Sequence, residues 1–428
     1  IYWSPKINTY DKYKKNYLSL DQDIRKFENV FLKSVSRCLI SDVKTGTFLS
    51  SGIDSSLETT FAKEIKTDVK SFTLSVKNDK IYNEAINSKK ISDYLNVDNE
   101  VFEIDQDEIL NSLKNCILSF DEPFADSSQV LSYILAKKIK RKTKVILTGD
   151  GADEMFCGYN RHIIAFQLAK FQKITKINSS LMNYLIKLGC EIPSKKILSN
   201  FFSYPVVKLK KINEFKNFSD LNHLYEMLIV NNNTVNNVNK LNYKNNNISD
   251  YNKLFNKILE HDLKNYLPND ILVKVDRSTM HSSIEARCPF LSKDIYDFSK
   301  RLPYDRKISN LKGKYLLRKV LSRRLPESLI SKKKMGFSFS LERQIFIKKN
   351  KKWLEKIFSK KIFKDNITIS SHDIINCLDD HLNERKKFLA LNLEHEININ
   401  QFQLELIDLK LHFPLNRLTN QFDLLTRP

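Results

Sequence analysis

The sequence has 428 residues, of which 41% are hydrophobic and 28% charged. A chain of this length exceeds one ordinary core, so we expect one large domain with helical additions, or two lobes. It contains no continuous apolar run long enough to cross a bilayer, which excludes a membrane-spanning bundle and favours a globular, cytoplasmic protein without a membrane partner.

The charge balance is strongly basic, with 71 Lys and Arg against 50 Asp and Glu, a formal net charge of +21. Such an excess can indicate a polyanionic partner. Here it is mostly Lys spread over the whole length, without Arg clusters interleaved with aromatic residues, so nucleic-acid binding is disfavoured. The six cysteines lie far apart without a CxxC pair, and we expect reduced, mostly buried thiols.

The first part of the chain alternates short apolar runs of β type with helical periodicity, which predicts a parallel sheet flanked by helices. The predicted strands cover residues 45–49, 71–76, 100–104 and 144–148. The predicted helices cover residues 21–40, 55–65, 83–95, 106–118 and 127–141. From about residue 152 the strand signal disappears, and the pattern predicts helices joined by polar loops, with an Asn-rich mobile segment at residues 231–247.

A turn of Ser and Gly follows the first predicted strand, at residues 48–56. Backbone N–H groups in such a turn, together with the N-terminus of the next helix, bind anions. The turn lacks a Walker lysine, which excludes a kinase or GTPase site of that type. Asp54 within the turn requires a cation between its carboxylate and a phosphate, and Mg²⁺ is the usual one. Taken alone, a Ser/Gly turn before a helix is more often a simple N-cap.

A second loop, at residues 148–159, follows the last predicted strand and carries three acidic residues and three glycines. This composition suits a metal-bearing loop better than a core. In an open parallel sheet the carboxyl ends of two strands meet at the switch crevice, so the two loops can face one ligand. Together they predict a site for a nucleoside triphosphate with Mg²⁺.

Four blocks resemble one family. Residues 48–56 resemble the pyrophosphate-loop signature Ser-Gly-Gly-x-Asp-Ser of the N-type ATP pyrophosphatases, with Ser51 in place of the first Gly. Residues 148–159 are similar to the acidic segment of asparagine synthetase, and residues 266–291 and 314–337 continue the likeness in the family's order. The chain thus resembles the synthetase domain of glutamine-hydrolysing asparagine synthetases.

This resemblance implies an α/β fold, a parallel sheet with flanking helices of the adenine nucleotide alpha hydrolase-like, pyrophosphate-loop ATPase type, followed by a mostly helical C-terminal region. It divides the chain into residues 1–20, a linker from a missing N-terminal glutaminase domain, 21–340, the synthetase domain with its sheet core at about 40–160, and 341–428, a helical extension. The family's glutaminase uses an N-terminal cysteine, and this sequence starts with Ile1, without an initiator Met. We therefore expect a piece of a longer protein and assign no glutamine hydrolysis to these residues.

The resemblance also implies a ligase that uses ATP and Mg²⁺. In the family a carboxylate attacks the α-phosphorus of ATP, pyrophosphate leaves, and ammonia displaces AMP from the acyl-adenylate. Aspartate is the expected carboxylate, with ammonia supplied from glutamine by a glutaminase domain absent from this chain. A homodimer is an option that the sequence leaves open.

Site residues follow from the same resemblance. Lys334 is expected to contact the departing phosphate, and Asp150 to take a proton from ammonia, while Asp54 and Asp153 hold Mg²⁺. The residues expected to bind ATP are Leu49, Ser50, Ser51, Gly52, Asp54, Ser55, Ser56, Leu74, Thr148 and Gly149. The residues expected near the carboxylate substrate are Asp121, Glu122, Asp126, Glu285 and Arg287.

Several of these positions also have a purely structural interpretation. Lys334 ends a run of three lysines that could simply be solvated. Glu285 and Arg287 could form a structural ion pair. The segment 121–126 could be a turn containing proline, with Asp126 or Ser127 as the N-cap of the next helix.

Three other functions remain open at the level of sequence. An enzyme of the same fold could form a uronamide in bacterial surface polysaccharide synthesis. A tRNA-modifying enzyme with a pyrophosphate loop would suit the positive charge but leaves the second and fourth blocks unexplained. A catalytically silent scaffold is suggested by Ser51 and Asp150, and disfavoured by Asp54, Asp153 and Lys334.

Overall fold

A computed structural model of the chain describes residues 18–77, 84–121, 124, 126, 128–163, 165–166, 258–310 and 312–330. Lys334, Glu122, the Asn-rich stretch 231–247 and the predicted extension 341–428 lie outside these residues. No helix within the described residues is both long and apolar enough to cross a membrane.

The centre of the fold is a parallel sheet of five strands in the order β3-β2-β1-β4-β5. The strands are β1 Thr45–Phe48, β2 Lys70–Val76, β3 Asp98–Ile104, β4 Val145–Leu147 and β5 Glu285–Arg287. The helices are α1 Leu20–Leu39, α2 Ile53–Ile65, α3 Ala85–Leu95, α4 Gln106–Ile117, α5 Gln129–Ile139, α6 Ala152–Phe156, α7 Leu272–Met280, α8 Lys293–Ser299, α9 Tyr304–Lys307 and α10 Tyr315–Leu321. Every strand and helix that the sequence predicted before residue 150 is confirmed, each end within two residues.

Helices cover both faces of the sheet. One buried cluster joins α1, α2, α8 and α10 to residues of β4, including Val145 and Leu147. A second cluster on the opposite face joins α4 and α5 to alternate residues of β2, Phe72, Leu74 and Val76. Strand β4 is buried along its whole length, with Val145 and Leu147 in one cluster and Ile146 in the other, which explains its continuously apolar sequence.

Helix α1 shows how local signals and burial agree. Ser19 caps it, since the Ser19 hydroxyl accepts from the backbone N–H of Gln22 at 3.2 Å and the Gln22 side chain accepts from the Ser19 N–H at 2.9 Å. Its four-residue spacing places Phe27 and Phe31 on one face, where both are fully buried and stacked with ring centroids 5.2 Å apart. Burying such a side chain contributes about 2 kcal/mol, so the capped, amphipathic segment is held as a helix mainly by its contact with the core.

Strand β5 was missed by the sequence analysis, which expected no strand after residue 150. Glu285, Ala286 and Arg287 pair in parallel with Val145, Ile146 and Leu147 of β4. The segment has only three residues, two of them charged, so neither length nor alternation indicates a strand. Pairing with β4 across more than a hundred residues of sequence decides its conformation.

A π-helical segment, Asp262–Ile271, leads directly into α7. Pro268 lies within it and cannot donate a backbone hydrogen bond, which is a local cause for an irregular helix. Helix α7 continues from this segment and packs against α5 and β5.

Candidate active site

The strand order reverses between β1 and β4. From β1 the chain winds outward through β2 and β3, whereas β4 and β5 lie on the other side. Such a reversal opens a crevice beyond the carboxyl ends of the two central strands. The segment after β1, residues 49–56, and the segment after β4, residues 148–154, each including the first turn of the next helix, both border that crevice. We call them the serine loop and the acidic loop.

The serine loop is organised by its own hydroxyl groups. The Ser55 hydroxyl accepts from the Ser50 N–H at 3.1 Å and lies 2.8 Å from the Ser50 hydroxyl. The Ser50 hydroxyl also accepts from the Gly52 N–H at 3.0 Å, and the Ser56 hydroxyl donates to the Gly52 carbonyl at 2.6 Å. No side chain caps the 13-residue helix α2, so its first turn remains open toward the crevice. This arrangement suits an anion such as phosphate.

Ser51 stands where the family signature has glycine, and the structure explains why a side chain is tolerated. Its backbone is not in the left-handed region that would favour glycine. Its side chain is buried, 5% exposed, within the loop. The departure from the signature therefore does not distort the loop.

Two glycines of the acidic loop are required by close packing. A Cβ atom on Gly149 would lie 2.7 Å from the Cβ of Asp54, which means that the two loops touch at this residue. Gly151 has a φ of +91°, and a Cβ atom there would lie 2.3 Å from Leu291. The glycines allow the acidic loop to approach the serine loop from the side of β4.

Asp54 and Asp153, the predicted metal ligands, converge on one ammonium group. The Nζ of Lys314 lies 2.7 Å from Asp153 Oδ1 and also contacts Asp54 Oδ2. Lys314 is buried, 4% exposed, and its backbone is left-handed, with a φ of 59°, immediately before α10. Two carboxylates beside a phosphate cradle fit Mg²⁺, which is usually bound by one or two carboxylates together with phosphate oxygens and water. No group of three or more metal-ligating side chains occurs among the described residues, and this mode of binding does not need one.

Lys314 is the functional candidate that the sequence analysis missed. It lies in the fourth family block, to which only the role of Lys334 was assigned. The preceding residue, Gly313, has no room for a side chain, since a Cβ atom there would lie 2.0 Å from the Cys157 carbonyl oxygen. The Lys314 N–H donates to the Phe156 carbonyl at 3.1 Å. These contacts fasten Lys314 to the end of α6, which carries Asp153. A Gly-Lys pair just before a helix is the weak signal that could have indicated it.

Asp150, the predicted proton acceptor, is half-buried at the start of the acidic loop. Burial raises the pKa of its carboxyl above the ordinary value, and the ammonium of Lys274 and a hydrogen bond from the Thr148 hydroxyl offset only part of that rise. Thr148 itself is buried, and its hydroxyl lies 3.2 Å from the Cys288 thiol. The predicted base thus lies in the crevice with a cation near it.

Glu58 is a buried acid that no sequence motif singled out. It lies one helical turn after Asp54, is fully buried, and neither of its carboxyl oxygens has a hydrogen-bond partner among the described residues. Burial, together with the negative charges of Asp150 and Asp54, holds its pKa well above the usual range. The ionised form of Glu58 is therefore disfavoured in the folded protein.

The segment expected near the carboxylate substrate is joined to α7 by two ion pairs. Asp126 Oδ2 lies 2.6 Å from the Nζ of Lys274, a buried pair. Asp121 lies 2.6 Å from the guanidinium of Arg277, an exposed pair. These contacts hold Asp126 and Asp121 against α7; the substrate role of both acids stays a prediction.

Glu285 and Arg287, also expected near the substrate, contact each other at 2.8 Å. The Arg287 guanidinium further donates to the carbonyls of Cys38 and Ile40 at 2.9 and 2.6 Å, at the C-terminus of α1. A cation at that position stabilises the end of a helix. The structural interpretation of this pair accounts for all the contacts described for the two side chains.

Leu49 and Leu74, expected to border adenosine, are buried near the carboxyl ends of β1 and β2. The Leu49 N–H donates to the Phe72 carbonyl at 2.9 Å, and the Leu49 carbonyl accepts from the Thr73 hydroxyl at 2.6 Å. These bonds fix the backbone at the carboxyl end of β1, beside the crevice.

Comparison with known proteins gives a consistent assignment. The Asparagine synthase family model matches residues 26–405. The chain is 28% identical over 405 residues to asparagine synthetase (glutamine-hydrolyzing) 1 of Bacillus subtilis (strain 168), covering 89% of this chain and 60% of that protein. It is 32% identical over 196 residues to asparagine synthetase (glutamine-hydrolyzing) 2 of the same strain, covering 44% of this chain and 26% of that protein.

Among solved structures, the U34-tRNA thiolase NcsA from Methanococcus maripaludis aligns with 64% of this chain and 82% of its own, at 12% identity and a TM-score of 0.25, a likeness too small to bear on function. The chain spans 60% of the length of the first Bacillus relative. The match over residues 26–405 covers most of the sequence and includes both crevice loops and Lys314. The chain belongs to the asparagine synthase family.

Proposed function

We propose that this chain catalyses ATP-dependent amidation of a carboxylate through an acyl-adenylate, with aspartate as the acid, asparagine as the product, and AMP and pyrophosphate released. The observation that carries the proposal is the convergence of Asp54, Asp153 and Lys314 beside the serine loop. Membership of the asparagine synthase family supports the same reaction class.

In the first half-reaction, a carboxylate oxygen of the acid attacks the α-phosphorus and pyrophosphate leaves. The backbone N–H groups and hydroxyls of the serine loop, including Ser50 and Ser55, would hold the phosphates. Asp54 and Asp153 would hold Mg²⁺, which neutralises charge on the triphosphate. The ammonium of Lys314, which contacts both carboxylates, would stabilise the negative charge that develops on the leaving pyrophosphate.

In the second half-reaction, ammonia attacks the acyl carbon and AMP leaves with the electron pair of the C–O bond. One N–H proton must leave the attacking nitrogen, and we assign its acceptance to Asp150. Lys334 is proposed to contact the departing phosphate. The ammonia is proposed to come from glutamine through a glutaminase domain outside these residues, and ammonium salt should replace it in vitro.

The test is to incubate the chain with ATP, MgCl₂, ammonium chloride and labelled aspartate, and to measure AMP, pyrophosphate and asparagine. We expect the three products in equal amounts. Formation of AMP and amide with a nucleotide-linked uronic acid, and not with aspartate, would replace the proposed substrate by that sugar acid. If no carboxylate supports AMP formation, amidation itself is ruled out.

Asp98→Asn is the matched control for variants of the site carboxylates. Asp98 is an exposed aspartate at the start of β3 whose ion pair with Lys70 lies at the surface, 2.7 Å between charged atoms. Asp98→Asn should keep the rate of amide formation within about twofold of the wild-type rate, since exposed ion pairs contribute little to the stability of a protein.

A further inference from the structure

A guanidinium lies in the corner between two tyrosine rings just after α6. The Arg161 guanidinium carbon lies 3.9 Å from the centroid of the Tyr159 ring and 4.4 Å from that of Tyr266. The two rings meet edge to face, at 84°, with centroids 5.6 Å apart. Tyr159 follows α6, whereas Tyr266 belongs to the π-helical segment. Cation–π attraction to both rings therefore joins two segments that are distant in sequence.

The same guanidinium is anchored on a buried carboxylate. Arg161 Nη2 donates to Asp262 Oδ2 at 2.9 Å, and the Nε2 of His162 lies 2.8 Å from the same oxygen. The Asp262 side chain has no exposed surface, and that of Arg161 is 20% exposed. Charged partners with so little access to water interact more strongly, and in a more specific geometry, than an exposed pair. The rings and the carboxylate together fix the guanidinium.

Tyr159 transmits this restraint back to α6. Its hydroxyl donates to Glu154 Oε1 at 2.5 Å, while the Arg161 guanidinium lies over its ring. The residue before it, Gly158, donates its N–H to the Asp153 carbonyl at 2.9 Å. The segment after α6 is thus bonded to α6 at two successive residues and held from outside by Arg161.

Gly158 lies directly against the carboxylate that is proposed to bind metal. A Cβ atom on Gly158 would overlap both Asp153 Oδ1 and Lys314 Cε, so the Gly158 backbone is the surface on which these two side chains rest. The Nζ of Lys314 in turn lies 2.7 Å from Asp153 Oδ1. A displacement of Gly158 would leave the Asp153 carboxylate room to turn. Its orientation therefore depends on how firmly the segment after α6 is held.

We propose that Arg161 is a positioning residue for Asp153: its guanidinium, held by the two tyrosine rings, fixes the segment after α6 so that the Asp153 carboxylate keeps the orientation in which it binds the metal of Mg²⁺–ATP. The inference rests on the proposed function, which assigns Asp153 to that metal. Arg161 acts through Tyr159 and Gly158 and exchanges no atom with the substrate.

Loss of Arg161 should weaken the binding of Mg²⁺–ATP more than it slows the reaction. A carboxylate that is free to turn binds a cation less tightly, because it must be ordered when the cation binds. At saturating Mg²⁺–ATP the carboxylate is already ordered, so the rate should approach that of the wild type. A general loss of stability would not produce this dependence on the concentration of Mg²⁺–ATP.

The experiment titrates Mg²⁺–ATP against the wild type and Arg161→Gln with two readouts, the melting temperature and the rate of AMP formation with aspartate and ammonium chloride. We expect the half-maximal Mg²⁺–ATP concentration to rise about tenfold in both readouts, the usual scale for loss of the group that supports a metal ligand. The value of kcat should stay within about threefold of the wild type, and KM for aspartate should not change.

Arg306→Gln is the matched control. The Arg306 side chain is 21% exposed, as exposed as that of Arg161, and its Nε donates to the mostly buried Asp23 at 3.1 Å. The ion pairs described for Arg306 are with Asp23 and Asp305, outside both crevice loops. Arg306→Gln should therefore lower the melting temperature without ligand, as Arg161→Gln does, and keep the half-maximal Mg²⁺–ATP concentration within about twofold of the wild type.

An unchanged half-maximal concentration in Arg161→Gln, or an equal rise in Arg306→Gln, would overturn the inference and leave the proposed function standing. A wild-type chain that forms no AMP with any carboxylate would overturn the proposed function itself. Should Arg161→Gln fail to fold, Arg161→Lys keeps a cation beside Asp262 without the planar guanidinium, and the same outcomes decide.

Discussion

The serine loop and the acidic loop border the same crevice but are held in different ways. The serine loop is stabilised by hydroxyl and N–H contacts among residues within five positions of one another, such as Ser50 and Ser55. The acidic loop has its charges balanced by Lys274 and Lys314, more than a hundred residues away in sequence. A neutral anion cradle can be organised locally, whereas a group of buried carboxylates requires cations that tertiary structure must supply.

The largest expected effect comes from the carboxylates that both loops contribute. Asp54→Asn and Asp153→Asn should each lower kcat for amide formation by about a thousandfold, because fixed charge near the leaving phosphate is a major part of catalysis in such reactions. The measurement is steady-state release of AMP with saturating MgCl₂. A loss below tenfold in both variants would mean that the triphosphate binds elsewhere.

Lys314→Met tests whether the carboxylates of Asp54 and Asp153 depend on the ammonium of Lys314 for their stability. Two partly buried carboxylates, Asp54 and Asp153, would lose their ammonium, and the free energy of unfolding should fall by about 3 kcal/mol in the absence of metal. Adding MgCl₂ should then raise the melting temperature of Lys314→Met more than that of the wild type, because the ion replaces the missing charge. Lys70→Met, which removes an exposed lysine, is the control. An equal response to MgCl₂ in the wild type and Lys314→Met would contradict a metal position between these carboxylates.

Glycine replacement compares the two loops directly. A Cβ atom at Gly149 would lie 2.7 Å from the Cβ of Asp54, so Gly149→Ala should destabilise the protein by about 2 kcal/mol and weaken ATP binding. A Cβ atom at Gly52 would lie 3.0 Å from the Ser50 hydroxyl, with a φ of −72° that alanine adopts readily. Gly52→Ala should therefore change the free energy of unfolding by less than about 1 kcal/mol. Chemical denaturation of both variants makes the comparison, and a larger loss at Gly52 would reverse it.

The smallest expected effect is a pH-dependent change of stability at Glu58. Burial holds the pKa of its carboxyl well above the usual range in the folded protein, while the unfolded chain ionises near the ordinary glutamate value. Between these values the folded state binds the extra proton, so wild-type stability falls as pH rises. Glu58→Gln removes that dependence and should raise the free energy of unfolding at pH 8 by about 1 kcal/mol or more, with little change at pH 4. If Glu58→Gln changes the free energy of unfolding by the same amount at pH 4 and pH 8, the pKa of Glu58 is not raised by folding.

The sequence was sufficient for elements whose signals are local. The periodicity of α1 and its Ser19 cap, and the apolar runs of β1 and β4, predicted their positions because burial and local hydrogen bonding favour the same conformation. The two crevice loops could also be predicted, since the carboxyl ends of neighbouring parallel strands share an edge. The meeting of Asp54 and Asp153 follows from that rule.

Features that depend on distant partners were not predicted. Strand β5 has no strand signal of its own and forms by pairing with β4. Arg287 was expected near the substrate on the strength of its family block, yet the contacts described for its side chain are with Glu285 and the end of α1. Glu58 lies on a helix face that its sequence pattern does not mark as buried beneath the site.

The sequence by itself therefore determined the parallel α/β class, the serine loop and the acidic residues that border the crevice, because each is encoded within a few residues of the chain. Only the tertiary structure decided which cations balance those acids, since Lys274 and Lys314 reach Asp126, Asp150 and Asp153 across long sequence separations. A buried charge acts through space, and its strength is set by distance and exposure rather than by position in the chain.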